Sequence, residues 1–151
     1  MPIFPTRVLL ATDGSPDAAL AAASAVELCE RTGSELHVVH VGEFLPTLYA
    51  YTEEEPAELR DNAQRLLNEE VERIRAVGGH ITKAHLRLGR AAEQIVTLSE
   101  ELGAGVIVVG GRGLGALRRA LLGSVSESVV RHAHCPVFVV RTGEGRSALE
   151  T

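Results

Sequence analysis

The stretch GGRGLGALRRALLGS, residues 110–124, carries the strongest chemical signal in this chain. Gly110, Gly111, Gly113 and Gly115 stand close together, and Gly123-Ser124 closes the stretch. Glycine leaves backbone N–H groups open to an oxyanion because no Cβ intervenes. The pattern Val125, Val129, Val130, Ala133 reads as the apolar stripe of a helix that starts at Ser124. Such a start has N–H groups without intrahelical partners and a partial positive charge. Phosphate is the chemistry this arrangement suits. Ser124 and Ser126 add hydroxyl donors, and Gly110 and Gly113 are expected to supply amides from positive-φ conformations. Leu114, Leu117, Leu121 and Leu122 are expected to pin the stretch to the domain. That separates an ordered cradle from a mere surface loop.

The glycines must be positioned by regular elements, and the pattern along the chain supplies them. Residues 7–12 form a short apolar run that ends in Asp13-Gly14, a strand and its turn. Ser15-Pro16 fits an N-cap followed by proline at the first helical position, ahead of an alanine-rich helix closed by Gly33. Residues 35–41 make a second strand and residues 42–55 a connecting loop without a clear period. Pro56 opens a helix with Leu59, Ala63, Leu66, Leu67, Val71 and Ile74 at helical spacing, ending at Gly78-Gly79. Residues 80–89 alternate and predict an edge strand with one wet face. Residues 90–102 make a third helix, and residues 106–110 an apolar strand. Residues 124–133 make the last helix and residues 136–141 the last strand.

Strands alternating with helices of this length predict an α/β fold. It is a single doubly wound domain, residues 1–141, with a five-stranded parallel sheet and helices on both faces, in flavodoxin-like or Rossmann-like layering. Residues 142–151 are a polar tail expected to be disordered. In such a sheet a ligand sits outside the carboxyl ends of the strands, where strand order reverses. The first and fourth strands are expected to flank that point. Their ends carry Ala11-Thr12-Asp13 and Gly110-Gly111, so the unusual residues gather where a crevice is expected.

Composition narrows the function. The chain has 151 residues, a formal net charge of -5 and 3% aromatics, with Lys83 its only lysine. An acidic balance with few stacking rings excludes a nucleic-acid partner. No segment approaches a membrane span and the first residues lack a signal-peptide core, so a cytoplasmic protein is expected. Cys29 and Cys135 have neither metal nor disulfide spacing and read as free thiols. The six histidines form no ligand set, and they read as packing or surface residues. Neither GxxxxGK[ST] nor GxGxxG is present, because Ala116 follows Gly115. Without a phosphate-gripping lysine or a general base, fast phosphoryl transfer is not expected. Asp13 beside Ser15 is no catalytic pair, since no histidine is placed to activate the serine.

Gly110-x2-Gly113-x9-Gly123-Ser124 resembles the G-x2-G-x9-G-[ST] pattern of the ATP-binding branch of the universal stress protein family. The resemblance runs from Arg7 to Arg141 and includes RVLLATDGSPDA, ELHVVHV and GSVSESVVRHAHCPVFVVR. It implies an adenine nucleotide alpha hydrolase-like fold. It also implies that Asp13 bonds the ribose with Ala11 and Thr12 lining the same pocket, and that Val41 holds adenine through its backbone. Gly110, Gly113, Gly123, Ser124, Val125 and Ser126 would surround the phosphates. The implied ligand is ATP, with ADP or AMP as alternatives and Mg2+ carried on the phosphates. The implied assembly is a homodimer through strand 137–140, whose apolar edge needs a cover. Family members often have serine at Gly111, proline at His134 and an acidic residue at Gly105, and none of these departures removes an implied contact. The function expected is a stress-response or regulatory module with an unidentified protein partner. The rivals are a weak ATPase or other nucleotide-using enzyme in the same crevice, and an interaction module that binds AMP or no nucleotide.

Overall fold

The computed structural model describes residues 2–44, 57–111 and 123–141. Within them the chain runs β1 (Arg7–Ala11), α1 (Pro16–Thr32), β2 (Glu35–Glu43), α2 (Ala57–Ala76), β3 (Ile81–Gly89), α3 (Ala91–Leu102), β4 (Val106–Gly110), α4 (Ser124–His132) and β5 (Val137–Val140). The strands form one parallel sheet in the order β3-β2-β1-β4-β5. The order reverses between β1 and β4, as the sequence predicts, and β3 lies at an edge. The tail at 142–151, the greater part of the loop expected at 42–55, and the leucines of the glycine-rich stretch lie outside the described residues.

The sheet is covered on both faces, which explains the unbroken apolar runs of its strands. Val8, Leu10 and Val38 point to the side where α1 and α2 pack with Ala21, Ala25, Leu67 and Ile74. Leu9, Val39 and Ile107 point to the other side, against Ile95, Leu98 and Val129 of α3 and α4. Alternate strand residues thus feed two cores.

The helix ends follow the sequence signals. Ser15 caps α1, its hydroxyl oxygen accepting from the Ala18 amide, and Pro16 fills the first helical position. Gly33 closes α1 and Gly103 closes α3, both left-handed. Strand β2 runs two residues past its predicted end, because β3 is long enough to pair with it through Glu43↔Gly89. Helix α2 lies close over this extension, and a Cβ at Gly42 would sit 2.9 Å from that of Ala63.

The polar face of β3 departs from expectation. Lys83 is exposed, but His85, two residues on, is buried. His37 of β2 stacks on it with ring centroids 5.4 Å apart, and Nδ1 of His37 lies 3.1 Å from Nε2 of His85. One nitrogen donates and the other accepts, an arrangement suited to two neutral rings. Burial, each other and the cations nearby disfavour the charged form. Desolvation first, then His37, Lys83 and Arg87, push His85 down to about 4 from 6.5, against the opposing pull of Glu101. His37 is lowered as well, mainly by burial. Both cysteines are free; burial pushes the buried Cys29 thiol up to about 11, while Cys135 is only half-buried.

A ring whose folded pKa is depressed keeps its full stabilising effect above its unfolded pKa and loses it as pH falls. The melting temperature should therefore decline between about pH 6.5 and about 4. His37→Phe/His85→Phe should remove much of that slope. Imidazole resonances followed by NMR should place His85 near 4. A midpoint at the ordinary histidine value would contradict this reading.

Candidate functional site

The site lies at the carboxyl ends of β1 and β4. Ala11 ends β1 half-buried against the α3–α4 core. Thr12, the next residue, is buried and held on three sides. Its amide donates to the Val39 carbonyl at 3.0 Å, its carbonyl accepts from Nδ1 of His40 at 2.8 Å, and its hydroxyl donates to Oε2 of Glu70 at 3.2 Å. Because Thr12 is fixed, the turn after it starts from a defined point. Asp13 is partly exposed, and its Oδ1 accepts from the Ser15 amide at 2.9 Å. This turn needs Gly14, whose φ is 81°.

The Val41 side chain is buried in the α3–α4 core. Its main chain turns toward the side on which β1 lies. The Val39 carbonyl is turned toward β1, and strand periodicity turns Val41 the same way two residues later. By then the β1–β2 ladder has ended, at Ala11↔Val39.

Beyond β4 the main chain is tied to its neighbours. The Gly111 amide donates to the Val140 carbonyl at 2.8 Å, and the Gly111 carbonyl accepts from the Gly123 amide at 2.6 Å. The Ser126 hydroxyl donates to that same carbonyl, also at 2.6 Å. The sequence reading has this hydroxyl facing phosphate, but its single proton is shared between the Gly111 carbonyl and, at 3.1 Å, the Gly123 carbonyl. Gly123, not Ser124, is the N-cap residue of α4, and among the described residues no side chain caps this helix. Its first intrahelical bond runs from the Glu127 amide to the Gly123 carbonyl at 3.0 Å. The amides of Ser124, Val125 and Ser126 therefore precede that first bond. Ser124 is exposed, Val125 half-buried and Ser126 buried. The contrast with α1 is direct, since there a serine oxygen already occupies the helix start.

Gly110 is a glycine for a reason the sequence reading missed. Its φ is not positive, contrary to expectation. A Cβ there would stand 2.8 Å from the Ala18 nitrogen and 2.8 Å from the Asp17 carbonyl carbon. Glycine lets the first turn of α1 rest on the end of β4. Gly113 lies outside the described residues. The structure thus gathers Ala11, Thr12, Asp13, Val41 and Gly110 with Gly123 and the first turn of α4 at one end of the sheet. Sequence reasoning also missed His40 and Glu70. Glu70 was detectable, being an acidic residue on the same helical stripe as Ala63, Leu67 and Ile74.

Gly110→Ala forces main chain against main chain and should cost about 2 kcal/mol or more in urea unfolding. A cost below about 0.5 kcal/mol would show that the α1–β4 contact is not tight.

A family model described as the universal stress protein family matches residues 5–141. A Staphylococcus aureus protein bearing the universal stress protein name is 35% identical over 141 residues, covering 91% of this chain and 85% of its own. A universal stress protein solved in complex with cAMP superposes with a TM-score of 0.72 at 23% identity, covering 92% of this chain and 99% of the other. One from Archaeoglobus fulgidus, in complex with dAMP, gives 0.64 at 24% identity, covering 92% and 99%. This chain belongs to the universal stress protein family.

Proposed function

We propose that this chain, as a member of that family, binds an adenine nucleotide, ATP foremost, in the crevice between the carboxyl ends of β1 and β4. The observation that carries the reading is the start of α4, which no described side chain caps and which the Gly111–Gly123 clamp ties to the end of β4. Phosphates would take the amides of Ser124, Val125 and Ser126, with Gly123 and Gly110 allowing close approach and Gly113 adding a further amide. Asp13 would accept from a ribose hydroxyl beside Ala11 and Thr12. Adenine would lie along the Val41 main chain. The two structural neighbours in complex with cAMP and dAMP support the ligand class.

Mg2+ would arrive on the phosphates, since no group of three acidic, histidine or cysteine side chains among the described residues is arranged to hold a metal. We read the site as a binding module with at most slow hydrolysis. The only lysine, Lys83, is exposed on β3 at the sheet edge and cannot serve as a phosphate-gripping lysine at β4. No described helix is long and apolar enough to cross a membrane. We place the protein in the cytoplasm as a stress-response regulator whose partner contacts respond to occupancy.

Strand β5 lies at the other sheet edge with Phe138 51% exposed. An open apolar edge invites a second strand. We read it as the homodimer face, with residues 137–140 of two copies paired.

Calorimetry with Mg-ATP should show binding to nucleotide-free protein, and Gly123→Val/Ser124→Ala should weaken it by about tenfold or more while remaining folded. Failure of clean wild type to bind any adenine nucleotide would overturn the reading. Light scattering should give a dimer for wild type and a monomer for Phe138→Glu. A dimer that survives Phe138→Glu would place the interface elsewhere.

A further inference from the structure

Glu70 presents a physical problem. It lies on α2 among Ala63, Leu67, Val71 and Ile74, and it is 4% exposed. A carboxylate in that setting is costly unless its oxygens are matched. Both oxygens are matched, and each match points a different way. Arg73, largely exposed, reaches Oε1 from the solvent side. Thr12 reaches Oε2 from the crevice side. The same Oε1 lies 3.6 Å from where a Cβ on Gly14 would be, so the carboxylate lies directly under the turn that carries Asp13.

We propose that Glu70 is a positioning residue for the nucleotide site, setting the β1–α1 turn through the hydroxyl of Thr12. The proposal rests on the nucleotide reading. With its proton donated to Glu70, the Thr12 hydroxyl cannot also donate to a ligand. Thr12 becomes a strut whose amide and carbonyl are fixed by Val39 and His40. Asp13 follows directly, so the place of its carboxylate is set by a residue 57 positions later (70 − 13) on another helix. An apolar residue would fill the same stripe on α2 without reaching the turn. Packing alone therefore does not account for an acid at this position.

The test measures ATP affinity with magnesium for wild type, Glu70→Ala, Glu70→Gln, Thr12→Val and Glu70→Ala/Thr12→Val, at a temperature where circular dichroism shows each to be folded. Glu70→Ala should raise Kd by about tenfold, the weight of one hydrogen bond to a charged group. Glu70→Gln keeps an acceptor for Thr12 and should recover most of the loss. Thr12→Val should weaken binding similarly, and the double variant should be no worse than either single one, because both break one link. A purely structural role would lower stability without this coupling or rescue. Wild-type affinity in Glu70→Ala, or additive losses in the double variant, would overturn the proposal and leave the nucleotide reading intact. Wild type that binds no adenine nucleotide would overturn both.

Discussion

The first turn of α1 rests on the end of β4, main chain against main chain, and the rest of the site depends on that contact. It exists because residue 110 has no side chain. A bulkier residue would push the first turn of α1 away from the end of β4, and with it the turn at 12–15. The strand order makes this the place where such a contact matters. The connection from β1 leads toward β2 on one side, while β4 lies on the other, so the strand order reverses at this point.

Two helices begin near that gap, and they are treated differently. Helix α1 is closed off by the Ser15 oxygen, carries Asp17 in its first turn and packs against Gly110. Helix α4 begins at a glycine with no side-chain cap, and its one buried serine turns inward to the Gly111 carbonyl. Both helices carry an acid in the first turn, Asp17 in α1 and Glu127 in α4, but among the described residues only α1 has a side-chain cap. On the opposite flank, Thr12 is held by Val39, His40 and Glu70. The crevice thus has one rigid polar wall and, at its other end, the helix-start amides of Ser124, Val125 and Ser126, which suits a ligand that is anionic at one end only.

Much of this was legible in the sequence because it rests on local rules. Apolar runs between capped helices gave five parallel strands and the reversal at β1/β4. Ser15-Pro16 and Gly33 mark helix ends by backbone chemistry that needs no tertiary context. What escaped depends on contacts between residues distant in the chain. Gly110 could be assigned to the site by position, but its close approach to Ala18 appears only when the sheet is assembled. His37 and His85 each read as ordinary strand residues until β2 and β3 are brought into register. Ser126 looked like a ligand donor because the carbonyl that takes its proton lies 15 residues earlier.

The central claim is that an adenine nucleotide occupies the β1–β4 crevice with its phosphates at α4. Backbone amide NMR during a titration with Mg-ATP addresses it directly. The account predicts shifts concentrated on Asp13, Val41, Gly110 and residues 123–126, with the amides of Ser124 and Val125 moving downfield as they bond phosphate oxygens. Shifts confined to the opposite end of the sheet, around Thr6, Gly33 and Gly103, or no shifts at all, would contradict it.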